Sequence, residues 1–483
     1  MIFVESKYWL VLAVIIATFL VTASFGLTSS PRFWFDEGIN LQIARNFAEQ
    51  GYLNIQTAPG QPYENPYQFL TTGYPVNGLL GVVFKATGFS FAVARGYMLL
   101  WMAALLLSVF LVSKRLFGPL PALFSVLLIS TFPPIVFHGK SLIGEIPGLT
   151  LFLFGLWAFD IKERKSGLLW PVLSGFLLGL SAAAKPVFLL FAVAVALSYF
   201  WGRKIDRRKE AAFLFSLLLP VAFYIYTILP PEVGFSQIGA LVETYQSRAS
   251  QGSFGANISE NIARFFTDDA LVYTLFATAL AALAMPWRRI FKREWERPKV
   301  LFAAAAFLQL LFFIQGVGWN RYLVVYQGMI LLILPAVVFK LTEKYSKLRD
   351  LNGRFFKNKM AVCALLVLTL FQIYYLSYRS DFFSGSLGAD LEKFFTEKAP
   401  KGRIYAVSAL KSVAMIPTER LWQFFLFEDR QVMPNLLQNL SDEKFEYLFL
   451  DPDDPDAIPY EKEILRLYEP VGEVGEKILF KLK

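Results

Sequence analysis

The chain has 483 residues, 55% of them hydrophobic and 18% charged, with a formal net charge of +9. Soluble domains run at roughly 25% charged residues, whereas this sequence repeatedly goes 17 to 24 residues without Asp, Glu, Lys or Arg, the length that crosses a bilayer; a soluble multidomain fold is excluded. One cysteine, Cys363, and one histidine, His138, exclude an intrachain disulfide, cysteine metal clusters and multi-His zinc sites.

Taken in chain order, uncharged runs at 8–31, 96–113, 116–137, 146–159, 166–184, 186–202, 211–231, 270–287, 300–320, 322–339 and 360–378 predict eleven spanning helices. The first exceeds the roughly 7 to 15 apolar residues of a signal peptide, and Glu5 balances its Lys7, so it reads as a span. The fourth is short unless its helix begins near Ser141, with Glu145 at the membrane surface. The stretch 65–84 is also uncharged, but it carries Pro66, Gly73, Pro75, Asn77, Gly78 and Gly81, and reads as a re-entrant or surface-lying element. With that assignment, one set of loops holds 23 Lys and Arg. The opposite loops after Arg95 hold five: Lys140, Lys185, Arg248, Arg264 and Arg321. The positive-inside rule places the 23, and the N-terminus, in the cytoplasm.

The expected fold class is therefore mainly α: a polytopic transmembrane helical bundle over 1–379 with a small C-terminal extracytoplasmic α/β domain over 380–483. The first outer loop, 28–95, is far longer than a connector needs to be, and long ordered loops are usually functional. A second outer loop, 232–269, is polar. The tail alternates short apolar runs near 403–408 and 446–450 with amphipathic stretches near 387–398 and 435–446. It counts 19 acids against 13 bases, so the overall positive charge resides in the cytoplasmic loops and signals topology and lipid headgroups rather than nucleic acid. Sequons at Asn257 and Asn439 are of a kind frequent by chance. The acidic run 451–456 lacks the Gly and Glu of a calcium loop and reads as a solvated turn.

Just beyond the first span stand Asp36 and Glu37, heading an amphipathic segment that ends at Gly51. Two readings are open: acids favoured at a helix N-terminus by its dipole, or chemistry. On the same outer face the topology sets His138, Lys140, Glu145, Lys185 and Arg321-Tyr322. Cations at span ends either snorkel to headgroups or hold an anionic ligand. Acids with spaced cations suit a phosphate-bearing substrate, gripped by charge-assisted hydrogen bonds, and an attacking group deprotonated by a carboxylate.

Trp34-Phe35-Asp36-Glu37-Gly38, then Ala44-Arg45 and Gly73-Tyr74-Pro75, resemble the first outer loop of the GT-C glycosyltransferases, particularly the protein O-mannosyltransferase and lipid A aminoarabinose transferase group. The resemblance runs on through Ala94-Arg95, Lys114-Arg115-Leu116-Phe117-Gly118, Glu145, Ala184-Lys185-Pro186 and Asn320-Arg321-Tyr322-Leu323, over roughly residues 8–380. This chain has Gly38-Ile39-Asn40 where that group often has Ala-Arg-Tyr, and Glu145 where it often has Asp.

What the resemblance implies is inverting transfer of one sugar, hexosyl or pentosyl, from a polyprenyl-phosphate donor to an acceptor hydroxyl outside the cytoplasm of a prokaryotic membrane. Asp36 would be the general base, with Glu37 and Glu145 positioning acceptor or sugar. Lys185 and Arg321-Tyr322 would stabilise the departing phosphate, helped by Arg45, Arg95 and Lys140, with His138 nearby. No metal is expected to be obligatory, although Mg²⁺ or Mn²⁺ would suit the carboxylates. Expected partners are the lipid-linked donor, membrane lipids and a lipid, glycan or protein acceptor. The alternative is a lipid-linked sugar flippase, a class that usually shows internal repeats and midplane charges; no repeat is evident here.

Overall fold

Each of the eleven apolar runs is helical over most of its described residues in the computed structural model, which describes residues 2–201, 206–229, 239, 254–316, 318–348, 354–379, 385–407, 409, 411–424, 445–450 and 461–483. Most of the 232–269 loop, Arg248, Asn439, nearly all of the 435–446 stretch and the 451–456 run lie outside the described residues. The helices are α1 (Ile2–Ser24), α2 (Phe35–Gln50), α3 (Tyr74–Thr87), α4 (Phe91–Phe117), α5 (Pro119–Thr131), α6 (Pro133–Lys140), α7 (Glu145–Arg164), α8 (Leu169–Ala184), α9 (Leu190–Tyr199) and α10 (Arg207–Ile228). They continue with α11 (Phe254–Arg264), α12 (Asp269–Ala284), α13 (Trp287–Phe291), α14 (Arg297–Gln315), α15 (Asn320–Leu348), α16 (Arg354–Arg379), α17 (Leu387–Lys398) and α18 (Glu461–Leu467).

Among the described residues five helices are long and apolar enough to cross a membrane unaided, within α1, α4, α10, α14 and α15. Two bent pairs, α5 with α6 and α11 with α12, bring the number to as many as seven. The other expected spans are α7, α8, α9 and α16, three of which have apolar segments below that length. Large apolar side chains are exposed on α1 (Leu10, Val14, Val21), α10 (Phe215, Leu218) and α16 (Val367, Leu370), as a lipid-facing surface requires.

Local chemistry sets the breaks. Gly118, at φ +95°, ends α4, and Pro119 opens α5, using proline where a helix has no N–H to satisfy. Pro133 and Pro134 start α6 at 65° to α5, because neither can donate to the preceding turn. Gly175 and Gly179 on α8 would drive an added Cβ into the Phe213 and Leu217 carbonyls of α10, the close approach that small residues four apart permit. Ser174 and Ser181 donate from α8 to the Gly155 and Gly148 carbonyls of α7 at 2.9 and 2.7 Å. Of the 65–84 stretch, residues 74 onward join α3, which at 14 residues is too short to span; the Gly73 N–H donates to the Ala184 carbonyl at 3.2 Å.

At the end of the bundle away from α2, charges counted above only as loop charges form a buried knot. Lys162 donates to both Glu210 oxygens at 2.7 and 2.8 Å, Arg297 pairs with Glu163 and Glu210 at 3.1 and 3.3 Å, and the Tyr199 hydroxyl donates to Glu210. The knot ties together the near ends of α7, α9, α10 and α14.

At the opposite end a five-stranded mixed sheet forms from β3 (Ile404–Val407), β4 (Leu421–Phe424), β5 (Tyr447–Leu450), β6 (Tyr468–Val474) and β7 (Lys477–Leu482), after a short hairpin, β1 (Gln56–Ala58) and β2 (Gln61–Pro62), between α2 and α3. The spatial order is β4-β3-β5-β7-β6, with β3 parallel to β4 and β5 and the β5–β7 and β7–β6 pairs antiparallel. Leu391 and Phe395 of α17 pack on it, with the Phe395 and Phe449 rings edge to face at 5.0 Å.

The sheet layer is seated on α2 and the hairpin that follows it. Arg45 donates to the Ala414 and Ile416 carbonyls at 3.1 and 3.0 Å, and Gln56 to those of Thr418 and Leu421 at 2.8 and 3.0 Å. Gly38 faces the Lys411 backbone so closely that an added Cβ would overlap its carbonyl. Gly38→Ala is therefore expected to unseat the C-terminal domain. Limited proteolysis in detergent checks this: the variant should lose its tail at least several-fold faster than wild type, and equal rates would contradict the contact.

Candidate functional site

The acids at the start of α2 are held there for a physical reason and then put to different uses. Trp34 supplies an extended N-cap without a side-chain bond, and acids in the first turn are favoured by the N-terminal partial charge. Glu37 turns inward. Its carboxylate is fully buried and forms a two-pronged pair with Arg95, Nε–Oε1 3.0 Å and Nη2–Oε2 2.8 Å. The third Arg95 nitrogen donates to the Leu27 carbonyl at 3.0 Å, and the Leu142 N–H approaches Glu37 Oε1 at 3.4 Å. Burial pushes the Glu37 carboxyl above its ordinary range against the opposing pull of Arg95.

Asp36 is partly exposed and ion-paired with Arg321 at the start of α15. The Arg321 guanidinium lies among three rings, 4.2 Å from the centre of Trp319 and 5.0 Å from those of Trp34 and Tyr322, and donates to the Tyr322 hydroxyl at 3.3 Å. Aromatic faces hold a guanidinium without consuming its N–H groups. Its Nε is buried with no hydrogen-bond partner among the described residues.

The second charged pair lies across the 140–145 segment. Lys140 donates to the Ser30 carbonyl at 3.0 Å, and Asn40 donates to the Leu142 carbonyl at 2.8 Å and the Thr72 hydroxyl at 3.2 Å. Gly144 lies against the Ala184 carbonyl and the Lys185 side chain. Glu145, buried at the start of α7, has Lys185 Nζ at 3.4 Å, yet neither carboxylate oxygen accepts a hydrogen bond among the described residues. Glu145 is thus a buried acid whose oxygens accept no hydrogen bond among the described residues, the kind of exception to polar satisfaction that calls for a physical explanation.

Asp36, Arg321, Tyr322, Glu145 and Lys185 thus stand at one end of the bundle, linked through Glu37, Asn40 and the 140–145 segment. The His138 ring is 6.2 Å from that of Trp34. Two expected phosphate contacts are spoken for: all three Arg95 nitrogens bond to protein, and Arg45, beyond its carbonyl bonds, pairs with Glu49 at 2.8 Å. Glu37 is likewise committed to Arg95, so its geometry is that of a support for α2 rather than a contact to substrate. Ile39 sits in an apolar cluster with Ile43, Tyr63 and Tyr224, which explains an apolar residue at that position. Trp34 entered the sequence reading only as part of the Trp-Phe-Asp-Glu-Gly motif, without a role for its ring, and Trp319 was missed, since 10 tryptophans in an apolar chain offer no local signal to single it out.

The acids do not fit a divalent cation. Asp36, Glu37 and Glu145 each face a cationic side chain, and among the described residues no three His, Cys, Asp or Glu side chains converge.

The sequence matches no model of a known protein family and no curated protein. The fold is matched by solved structures. ArnT from Cupriavidus metallidurans bound to undecaprenyl phosphate aligns over 97% of this chain and 97% of its own, with a TM-score of 0.67 and 14% identity. The archaeal oligosaccharyltransferase AglB from Archaeoglobus fulgidus, in complex with an inhibitory peptide and a dolichol-phosphate, aligns over 99% of this chain and 74% of its own (TM-score 0.54, 12% identity). The mycobacterial arabinofuranosyltransferase AftD aligns over 97% of this chain and 41% of its own (TM-score 0.53, 15% identity). The chain shares the fold of these three structures.

Proposed function

We propose that the protein is a membrane glycosyltransferase that moves a single sugar from a polyprenyl-phosphate donor to an acceptor hydroxyl on the non-cytoplasmic face, with inversion. The observation that carries this reading is the pair of incompletely satisfied ion pairs, Asp36–Arg321 and Glu145–Lys185, at one end of a fold shared with ArnT, AglB and AftD. The sidedness rests on the 23-to-5 distribution of loop cations. Nucleotide sugars are not available outside the cytoplasm, so an activated sugar must arrive there on a lipid.

In the reaction the acceptor oxygen attacks the anomeric carbon from the face opposite the phosphate, and the bond from that carbon to the phosphate oxygen breaks. The acceptor proton passes to an Asp36 carboxylate oxygen. The departing polyprenyl phosphate takes the bonding pair, and Arg321 and Lys185 stabilise its charge. Arg321 neutralises Asp36 when no phosphate is present; a phosphate that engages the guanidinium, whose Nε has no other partner, frees Asp36 to accept the proton. Glu145 orients Lys185 and faces the sugar. Glu37 and Arg95 hold the first turn of α2, and with it Asp36, in place. A phosphate already ionised near neutral pH needs charge stabilisation rather than an acid, so this chemistry runs without histidine, and no step is routed through a metal.

The test is transfer from labelled polyprenyl-phosphate monosaccharides in proteoliposomes made with native lipid extract, against the matching nucleotide sugars. Product from a lipid-linked sugar with inverted anomeric configuration supports the reading; product from nucleotide sugars alone, or with retention, overturns it. Within that assay Lys185→Gln is expected to raise the donor KM roughly tenfold or more, the worth of a hydrogen bond to a charged group. Donor titration checks this, and an unchanged KM would remove Lys185 from the phosphate grip.

A further inference from the structure

Asn40 stands one helical turn beyond Asp36 on α2 and is buried. Its amide ties three segments together: Nδ2 donates to the Leu142 carbonyl at 2.8 Å and to the Thr72 hydroxyl at 3.2 Å, and Oδ1 accepts from Asn77 Nδ2 of α3 at 3.2 Å. We propose that Asn40 is a positioning residue for sugar transfer, holding the Asp36 base at a fixed distance from the Glu145–Lys185 pair. The proposal deepens the glycosyltransferase reading and rests on it for the roles of that base and that pair. Asn40 stands where the group resembled often has tyrosine, so the device belongs to this chain's own sequence.

One link runs to Glu145. Residues three apart on a helix share a face, and Glu37 and Asn40 together grip one residue of the 140–145 segment. The Leu142 N–H approaches Glu37 Oε1 at 3.4 Å, and the Leu142 carbonyl accepts from Asn40. Between Leu142 and Glu145, which opens α7, the chain turns tightly, the Ile143 N–H donating to the Ser141 carbonyl at 2.8 Å. Leu142 is itself buried, so the position of Asn40 on α2 sets where α7 begins and where the Glu145 carboxylate stands.

The other link runs to Lys185. Thr72, fully buried, accepts from Asn40 at its hydroxyl and from Asn77 at its carbonyl, the latter at 2.8 Å. The next residue, Gly73, donates its N–H to the Ala184 carbonyl at 3.2 Å. An added Cβ would overlap the Ala183 carbonyl at Gly73 and the Ala184 carbonyl at Gly144, so the backbone just ahead of Lys185 is clasped between the two segments that Asn40 holds. Asparagine suits the place because one small planar group supplies two donors and an acceptor; leucine would fill the space and supply none. The alignment of acceptor oxygen, anomeric carbon and departing phosphate depends on the distance so fixed, and a misplacement of about 1 Å costs about 100-fold in rate.

Two measurements on the full chain test the proposal. The first is a double-mutant cycle on sugar transfer in proteoliposomes. Asn40→Leu is expected to lower kcat about tenfold or more in the wild-type background and less than about twofold in the Asp36→Asn background, where no base is left to position. Thr72→Val removes only the hydroxyl acceptor and is expected to repeat the pattern at about threefold; it decides the matter if Asn40→Leu does not fold. Equal factors in both backgrounds mark a merely structural role and overturn the proposal. So does an equal loss of kcat in Asn46→Leu, the control on the same helix, whose amide donates to the Asn54 carbonyl at 2.7 Å. The second measurement is amide hydrogen exchange in detergent, which needs no turnover. Asn40→Leu is expected to speed exchange over residues 140–146 and 184–186 at least about fivefold, and Asn46→Leu to leave those segments unchanged; unchanged exchange in Asn40→Leu overturns the clamp. Failure of the wild type to turn over any donor would sink the glycosyltransferase reading, and the exchange rates would still decide whether Asn40 ties these segments to α2.

Discussion

Asp36→Asn is expected to lower sugar transfer at least about 100-fold while leaving the protein folded and donor binding within about threefold of wild type. A positioned general base is worth about 10² to 10⁴ in rate, and Asn matches the carboxylate in shape but cannot take the acceptor proton. The substitution also removes the charge that holds Arg321, so donor phosphate competes with no internal anion in the variant. The expected pattern is thus a fall in kcat with an unchanged or lower donor KM. A structural role for Asp36 would give the opposite pattern: loss of thermal stability with residual kcat near wild type.

Glu37→Gln is expected to have its large effect on stability. The Glu37–Arg95 pair is buried on both sides, 1% and 0% exposed, and removing one partner of such a pair costs about 3–5 kcal/mol because the other charge is left uncompensated. The loss should appear as a fall of several degrees in the thermal unfolding midpoint in detergent. Joint replacement, Glu37→Leu with Arg95→Met, is expected to cost less than either single change, because no lone charge remains. Arg95 would still leave the Leu27 carbonyl without its bond, so the recovery is incomplete. An unfolding midpoint within a degree of wild type for Glu37→Gln would show that the pair is not holding α2 against α4.

The difference between these neighbouring acids marks where sequence reading reaches and where it stops. Both were legible as carboxylates at a helix N-terminus beside a membrane exit, and their common sidedness with Glu145, Lys185 and Arg321 followed from counting loop charge. Which of the two turns inward did not follow, because that depends on the 100° step between successive helix residues and on Arg95 lying across from Glu37 in α4, a contact 58 residues away. Arg45 shows the same limit from the other side. The resemblance placed it among the phosphate contacts, but α2 presents it to the C-terminal carbonyls at 414 and 416. Gly38 looked like a departure from a family pattern; it is the point where the Lys411 backbone passes, and no local rule announces an approach from more than 370 residues away.

The helical runs were more legible because hydrocarbon imposes a local rule: every backbone group must be satisfied within the segment. Their breaks were harder to place. Pro133 and Pro134 divide one uncharged run into α5 and α6, and the α3 boundary falls at Gly73, where the chain meets the end of α8. In the tail, apolar stretches at Ile404–Val407 and Tyr447–Leu450 become neighbouring parallel strands, but their order in the sheet depends on pairings no short pattern encodes.

Glycosyl transfer and lipid flipping are separated by following a labelled polyprenyl-phosphate sugar in proteoliposomes of wild type and Asp36→Asn, with transfer and transbilayer movement read in the same vesicles. Wild type is expected to form glycosylated product, Asp36→Asn at least about 100-fold less, and neither to speed the crossing of the lipid. Label crossing the bilayer equally fast in both proteins, with no product in either, would contradict glycosyl transfer, return Asp36 to the role of a helix-end charge, and make the protein a carrier of the lipid-linked sugar.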